Sequence, residues 1–248
     1  MADQVTLASW NVFQGLHHSS KRDAWVGNRN IEDHIRALDT DVMVLPEAWR
    51  FARPDVPWAE DLARELGYQL HAFTADEPSR PREHVPFRMV VMTRVAASRL
   101  DDYPLSKFGD FGQRAAVRVR LDDSGLVLAG AHMYGIHLLL NMRPRDWMRE
   151  RAELGDLATS VDVLAGDMNM WSPIVGRDAQ PLRAAVKGRT FPAYRPHSQI
   201  DHILVSDRVA VSQSHVLGDN GSDHLGIKVT LSVAEDPKLP RLIGDPGK

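Results

Sequence analysis

Residues 161–169 read Val161-Asp162-Val163-Leu164-Ala165-Gly166-Asp167-Met168-Asn169, an apolar run that ends in polar side chains. An apolar run that is rich in β-branched residues and bounded by glycine is typical of a buried strand. Asp167 and Asn169 are two residues apart, so in an extended chain both side chains point the same way. A carboxylate and an amide that face one spot suit a functional site, but Gly, Asp and Asn are also the usual turn formers. This stretch alone leaves both interpretations open.

Other stretches repeat the pattern of an apolar strand with a polar residue at one end. The residues are Asn11, Glu47 and His132 at the ends of predicted strands 5–11, 41–47 and 126–132, and Asp201 near the start of a strand at 199–206. A loop just before a strand at 227–231 adds Asp223 and His224. A single strand-end Glu is commonly just solvated, and a single strand-end His is commonly structural. The repetition favours a shared site at the ends of several strands.

The residue types indicate which chemistry such a site would carry. Acidic residues and an Asn, in a chain without Cys, suit a hard divalent cation such as Mg²⁺ or Mn²⁺. Mg²⁺ is commonly held by one or two carboxylates together with waters and phosphate oxygens of a substrate. An Asp close to a His provides the pair that orients or activates water.

Composition limits the class of protein. The chain has 248 residues, 43% of them hydrophobic and 25% charged, which is ordinary for a globular protein. No linker or internal repeat divides it, so we expect one domain over residues 1–233 and a loose tail over residues 234–248. The absence of cysteine excludes disulfides, thiolate metal sites and a Cys nucleophile.

Charge and hydropathy indicate which partners and which cellular location to expect. The net charge is −3 and there is no long basic run, which is mild evidence against a protein built to hold long duplex nucleic acid. No apolar run is long enough to span a bilayer. The first five residues lack the basic and apolar regions of a secretory signal, which favours the cytoplasm.

Periodicity places the remaining elements. Apolar residues at helical spacing predict helices near residues 29–38, 58–66 and 143–160, and further strands are predicted at 68–73, 88–94 and 114–121. Residues 74–86 are polar and carry several prolines, so we expect an exposed loop there. A long loop containing Trp171 is expected after Asn169, followed by a short helix at 181–186.

The motifs, taken together and in order, resemble the endonuclease/exonuclease/phosphatase superfamily, which includes DNase I, exonuclease III-type abasic-site endonucleases, inositol polyphosphate 5-phosphatases and neutral sphingomyelinases. The resemblance is carried by Ser9-Trp10-Asn11, Leu45-Pro46-Glu47, His132, Gly166-Asp167-Met168-Asn169, Ile200-Asp201-His202-Ile203 and Ser222-Asp223-His224. It extends from about residue 5 to residue 231. It implies a four-layered α/β sandwich, in which two mixed β-sheets pack face to face with helices outside. It also implies metal-dependent cleavage of a phosphate ester.

The resemblance further implies a metal site. Glu47 would bind the divalent cation, Mg²⁺ or Mn²⁺. Asn11 would be hydrogen-bonded into the metal site, and Asp223 would join the metal shell.

The resemblance also implies catalytic roles for five residues. Asp167 would orient or deprotonate the attacking water, and Asn169 would hold the phosphate or that water. His224, paired with Asp201, would act on the phosphate or transfer a proton. His132 would donate to a phosphate oxygen or protonate the leaving group. Together these groups allow in-line attack on phosphorus while the growing negative charge is stabilised.

The chain departs from the family pattern in three places. Pro46 stands where many relatives carry Gln before the metal-binding Glu, and the strand at 88–94 lacks the Gly-Asn that many relatives have at its start. No acidic residue follows Asn11 closely, which disfavours an abasic-site endonuclease.

Three functional hypotheses follow. The leading one is a monomeric phosphodiesterase that cleaves nucleic acid, with Trp171 lining the cleft. Arg195, beside Phe191 and Tyr194, would clamp a phosphate or stack a base, and the alternative is that this segment is a loop packed onto the core. The second is a phosphoesterase for a small molecule or a lipid headgroup, like the inositol phosphatases and sphingomyelinases. The third is a non-catalytic binding module on the same fold.

Overall fold

Two mixed β-sheets dominate the computed structural model, which describes residues 4–13, 16–19, 24–27, 31–48, 58–78, 86–107, 113–134 and 144–234. The strands are, in chain order, Val5–Ser9 (β1), Leu16–Ser19 (β2), Ala24–Gly27 (β3), Val42–Pro46 (β4), Gln69–Pro78 (β5), Pro86–Thr93 (β6), Ala97–Arg99 (β7), Tyr103–Leu105 (β8), Arg114–Leu121 (β9), Val127–His132 (β10), Val163–Asp167 (β11), Arg183–Ala184 (β12), Asp201–Val205 (β13), Val209–Val216 (β14) and Ile227–Val233 (β15). The helices are Ile31–Leu38 (α1), Trp58–Leu66 (α2), Pro144–Thr159 (α3) and Ser172–Asp178 (α4).

The first sheet has the strand order β14-β15-β1-β4-β6-β5. Its strands pair antiparallel except for β1 and β4, which run parallel. The carboxyl ends of two adjacent parallel strands lie at the same edge of a sheet. Asn11 and Glu47, which follow β1 and β4, are therefore neighbours. Because β15 runs antiparallel to β1, with Ser9 opposite Ile227, the loop that carries Asp223 and His224 lies at that edge too.

The second sheet has the strand order β12-β13-β11-β10-β9-β7, and β8 pairs with β9. Here β10 and β11 are the parallel pair, with His132 opposite Asp167. The antiparallel strand β13 places Asp201 opposite Asp167 on the other side. The registers therefore align three of the predicted site residues in a row across the sheet. A separate hairpin joins β2 and β3.

The sheets pack face to face and the helices cover their outer surfaces. The central apolar cluster combines residues such as Leu7, Val44 and Val91 of the first sheet with Val117 and Ala165 of the second. A second cluster packs α1 and α2 on the first sheet, and a third packs α3 and α4 on the second. The layers are thus helix, sheet, sheet, helix, as predicted. No helix in the described part of the chain is long and apolar enough to cross a membrane.

Some predicted elements were wrong. Of the predicted loop at 74–86, residues 74–78 belong to β5 and residue 86 begins β6, because a polar, proline-containing segment is tolerated at the edge of a sheet, and residues 79–85 lie outside the described residues. The predicted loop after Asn169 contains α4, which accommodates Pro173 in its first turn. The predicted helix at 181–186 is instead the short edge strand β12, paired with β13.

Several described strands, such as β2, β3 and β14, have no matching prediction, and most of the predicted tail is not described. The edge strand β14 was not predicted, because most of its side chains are exposed and only Val209 is buried. Of the predicted tail, residues 235–248 lie outside the described residues.

Candidate active site

Polar side chains from both sheets meet around one oxygen atom, Oδ2 of Asp167. This oxygen accepts a hydrogen bond from Nδ2 of Asn11 at 3.0 Å. The Nε2 atoms of His132 and His224 lie 3.6 and 3.7 Å from the same oxygen. Asn11 follows β1 and His224 precedes β15 of the first sheet, whereas His132 and Asp167 are the last residues of β10 and β11 in the second. The site therefore lies where the corresponding edges of the two sheets come together.

Glu47 lies beside this centre and is more accessible than the other carboxylates. Its Oε1 is 3.4 Å from Nδ2 of Asn11 and 3.7 Å from Nε2 of His132. The Glu47 side chain is 21% exposed, compared with 1% for Asp167. Its backbone has a φ of 54°, which is uncommon for a residue other than Gly and is found mostly at functional sites and tight turns.

His224 and Asp201 form a buried pair. Nδ1 of His224 lies 2.9 Å from Oδ2 of Asp201, at hydrogen-bond distance. The ring of Phe191 packs against the imidazole with a centroid separation of 4.8 Å. Nε1 of Trp10 donates to the carbonyl oxygen of His224 at 3.2 Å. Because Asp201 engages Nδ1, the imidazole presents Nε2 toward Asp167.

Ser222 fixes the loop that carries Asp223 and His224. Its hydroxyl donates to the carbonyl oxygen of Asn11 at 2.7 Å and accepts from the backbone N–H of His224 at 3.3 Å. Oδ1 of Asp223 lies 3.9 Å from Nε2 of His224, and the Asp223 side chain is 14% exposed. The Ser-Asp-His motif thus connects the backbone after β1 to the site.

Asn169 turns the chain back toward the site after β11. Its backbone N–H donates to Oδ1 of Asp167 at 2.8 Å, and its Nδ2 donates to the carbonyl oxygen of Met133 at 3.0 Å. Its φ is 50°, a conformation that Asn adopts more readily than most residues. Both carboxylate oxygens of Asp167 are therefore held by neighbouring amides.

Burial and mutual repulsion change the proton affinity of the acids. Burial raises the pKa of Asp167 to about 7, although the nearby His224 opposes the rise. Burial also raises the pKa of Asp223 to about 6. Burial by itself would lower the pKa of His224, but Asp201 and Asp167 outweigh it and hold that pKa well above its usual value. At neutral pH these shifts favour an imidazolium on His224 beside Asp167 and Asp223, the two carboxyls whose pKa is raised.

The carboxylates also form a candidate cation site. Ligand atoms of Asp167, Asp201 and His224 all lie within 4.8 Å of one another. Oδ1 of Asp201 is buried and has no hydrogen-bond partner within the described ranges. His224 already engages Asp201 through Nδ1, so the carboxylates that remain most accessible to a hydrated cation are Glu47 and Asp223. Oxygen donors of this kind suit Mg²⁺ or Mn²⁺.

Each of the eight predicted site residues lies within 3.9 Å of another member of the group. They are Asn11, Glu47, His132, Asp167, Asn169, Asp201, Asp223 and His224. Two of the aromatic side chains suggested for the substrate are exposed, Trp171 by 52% and Tyr194 by 77%. The third, Phe191, is partly buried against His224. The loop of Tyr194 is tied to the site, because the N–H of Ala193 donates to the carbonyl oxygen of Asp223 at 2.7 Å.

Two buried charged residues next to the site were not predicted. Arg114 begins β9 and donates to the carbonyl oxygens of His132 and Met133, and Glu150 on α3 accepts from the N–H of Tyr134. Burial raises the pKa of Glu150 to about 8. No feature of the sequence distinguishes Arg114 from Arg118 on the same strand, because the contact depends on how β9 meets β10.

Comparison with known proteins identifies a family to which the sequence is similar. A family model described as "Endonuclease/Exonuclease/phosphatase family" matches residues 8–224. No curated protein matches the chain significantly in sequence.

Solved structures with the same fold include an endonuclease/exonuclease/phosphatase from Beutenbergia cavernae DSM 12333, with a TM-score of 0.69 and 21% identity over 93% of this chain and 72% of that chain. The human Nocturnin catalytic domain with a bound sulfate anion aligns with a TM-score of 0.61 and 16% identity, over 94% of this chain and 96% of its own. D. rerio TDP2 complexed with a single strand DNA product aligns with a TM-score of 0.56 and 16% identity, over 93% of this chain and all of its own.

Proposed function

Because the chain belongs to the endonuclease/exonuclease/phosphatase family, we propose that it is a Mg²⁺- or Mn²⁺-dependent phosphodiesterase that cleaves nucleic acid. The observation that carries the proposal is the convergence of Asn11, His132 and His224 on one oxygen of Asp167. Hydrogen-bond donors and two imidazoles around a buried carboxylate provide the groups needed for water activation and proton transfer to a phosphate ester.

Glu47 and Asp223 would hold the cation, with Asn11 orienting Glu47 through its hydrogen bond. They fit this role because they are the accessible carboxylates of the cluster and because their donor atoms are hard oxygens. The bound cation would neutralise phosphate charge and stabilise the charge that develops during displacement.

The side chains of the second sheet would carry the proton transfers. A water oxygen attacks phosphorus, its proton passes to Asp167, and the bond from phosphorus to the leaving oxygen breaks. The raised pKa of Asp167, about 7, is close to the optimum for a general base at neutral pH. His132 would donate to a phosphate oxygen or to the leaving oxygen, and the imidazolium of His224 would stabilise the phosphate charge.

Two exposed aromatic side chains favour nucleic acid as the substrate. Trp171 lies two residues beyond Asn169, and Tyr194 projects from the loop that is bonded to Asp223. Large exposed aromatic side chains next to a catalytic centre provide surfaces on which unpaired bases stack. The TDP2 structure with a single strand DNA product has the same fold, which supports this choice.

A second candidate substrate is a small phosphoester or a lipid headgroup. The net charge of −3 favours it, because an acidic protein lacks the general attraction for polyanions that many nucleases have.

The test is hydrolysis of single-stranded DNA, plasmid DNA, RNA and bis(p-nitrophenyl) phosphate with Mg²⁺ or Mn²⁺, and with EDTA. We expect cleavage of nucleic acid that stops with EDTA and falls about 10²- to 10⁴-fold in Asp167→Asn and in His224→Ala. Asp123→Asn, which alters an exposed carboxylate in the turn at the opposite end of β10, is the matched control.

Activity confined to the generic ester would assign the small-molecule class instead. Wild-type rates in the folded Asp167→Asn or His224→Ala protein would contradict the assigned site.

A further inference from the structure

We propose that Arg114 is a positioning residue that fixes the end of β10, and through it His132 and Asn169, at the reacting centre. The inference rests on the proposed phosphodiesterase function. It assigns a role to a buried side chain that belongs to neither the cation site nor the proton-transfer groups.

Arg114 completes a strand pairing that the backbone leaves unfinished. The hydrogen-bond ladder between β9 and β10 ends at the pair Val117 and Gly130. Beyond it, Nη1 of Arg114 donates to the carbonyl oxygens of His132, at 3.2 Å, and Met133, at 2.7 Å. The side chain therefore supplies the donors that a longer strand would have provided, and it does so at the residue that carries the catalytic imidazole.

The backbone of Met133 connects this contact to the rest of the site. Its carbonyl oxygen accepts from Arg114 and also from Nδ2 of Asn169 at 3.0 Å. Its N–H donates to the carbonyl oxygen of Asp167 at 2.9 Å. A displacement of Met133 would therefore move His132 and release the side chain of Asn169 together.

Two aromatic rings restrict the movement of the guanidinium. Its central carbon lies 4.1 Å from the ring centroid of Tyr134 and 4.9 Å from that of Phe87. The Phe87 ring also packs on the imidazole of His132, with centroids 5.6 Å apart. A planar guanidinium can stack on rings while its N–H groups form directed hydrogen bonds, which an ammonium cannot do. Lys at this position would retain the charge but lose the orientation.

The experiment compares Arg114→Lys and Arg114→Gln with Arg88→Lys. Arg88 is the matched control, since it is also buried but is paired with Glu60 on α2. We expect kcat of both Arg114 variants to fall about 10²-fold, the order of effect of a misplacement of about 1 Å. KM should change less than about threefold, because Arg114 contacts His132 and Met133 rather than substrate. Arg88→Lys should retain kcat.

A second readout does not depend on turnover. The imidazole NMR resonance of His132, assigned with His132→Asn, should shift in Arg114→Lys and Arg114→Gln and remain in place in Arg88→Lys. If wild-type protein hydrolyses no substrate, the proposed function fails, and this shift alone supports or overturns the positioning role.

Three results would overturn the positioning role in an active enzyme. Full kcat in Arg114→Lys would show that only the charge matters. A rise in KM at constant kcat would make Arg114 a substrate-binding residue. A lower melting temperature with unchanged kcat and an unmoved His132 resonance would leave it a purely structural residue.

Discussion

Replacing Gly166 with Ala should disrupt both the fold and the site, because a Cβ atom on Gly166 would collide with the backbone of the neighbouring strand β10. A Cβ atom on this residue would lie 1.9 Å from the carbonyl oxygen of Ala131, its partner in the ladder. The residue also has a φ of 143°, which L side chains rarely adopt. The next residue is Asp167, so the substitution acts directly on the centre of the site.

The size of the effect follows from these two features. The backbone conformation alone costs about 1–3 kcal/mol for a residue with a Cβ. A non-bonded contact needs roughly 3.5 Å, so the two strands must separate locally. Each buried backbone group that loses its hydrogen bond adds about 1–3 kcal/mol. We expect a loss of about 4 kcal/mol in the free energy of unfolding, which lowers the melting temperature of a protein of this size by roughly 10 °C.

The assay is thermal unfolding of Gly166→Ala beside Gly176→Ala, followed by hydrolysis at a temperature where both are folded. Gly176 lies within α4 and a Cβ there meets no atom within 4 Å. Gly176→Ala should therefore stabilise the helix by up to about 1 kcal/mol. The kcat of folded Gly166→Ala should fall about 10²-fold. Asp167 and His132 are partners in the ladder between β10 and β11, so a local separation of these strands increases the distance between the two side chains. A melting temperature equal to that of the wild type would refute the reasoning.

Two further predictions concern the substrate and the pH dependence of stability. Trp171→Ala and Tyr194→Ala should each raise KM for single-stranded DNA about tenfold or more and leave hydrolysis of bis(p-nitrophenyl) phosphate unchanged. The control Met148→Ala removes another exposed apolar side chain and should alter neither activity. An equal loss of activity on both substrates would contradict the stacking role. Burial raises the pKa of Glu150 from its ordinary value of 4.5 to about 8 in the folded protein. Ionisation of Glu150 in the unfolded state should therefore remove up to about 5 kcal/mol of stability as the pH rises from 4.5 to 8. Urea unfolding should therefore show Glu150→Gln gaining stability relative to wild type from pH 5 to pH 8, and a constant difference would be inconsistent with a buried neutral carboxyl.

The position of the site could be predicted because it follows from strand periodicity. Apolar runs end at Asn11, Glu47, His132 and Asp167. The rule that such runs form buried strands is sufficient to predict that these residues lie at strand ends. The sequence does not specify which strands are neighbours. The resemblance to a known family implied two mixed sheets packed face to face, and the neighbours of each strand come from the structure, in which β11 lies between β10 and β13.

The elements that were missed depend on contacts that single-sequence patterns do not contain. α4 begins with Ser172 and Pro173, which suggest a loop, but Val175 packs in the core and Asp178 bonds to Arg151 on α3. Arg114 was missed for a similar reason. Its environment is created by the point at which pairing between β9 and β10 stops, and no local rule states where a ladder ends.

The architecture explains why one site uses residues from both sheets. Among the described strands, each of the two large sheets contains one parallel pair, β1 with β4 and β10 with β11. The ends of these pairs meet where Asn11 donates to Asp167. The apolar core between the sheets therefore sets the distance between the site residues of the first sheet and those of the second. Gly130 keeps that core thin, since a Cβ there would lie 2.7 Å from Cγ2 of Val91. Apolar packing between the sheets thus holds Glu47 and Asp223, the proposed cation ligands, at a fixed distance from Asp167 and His132, the proposed proton-transfer groups.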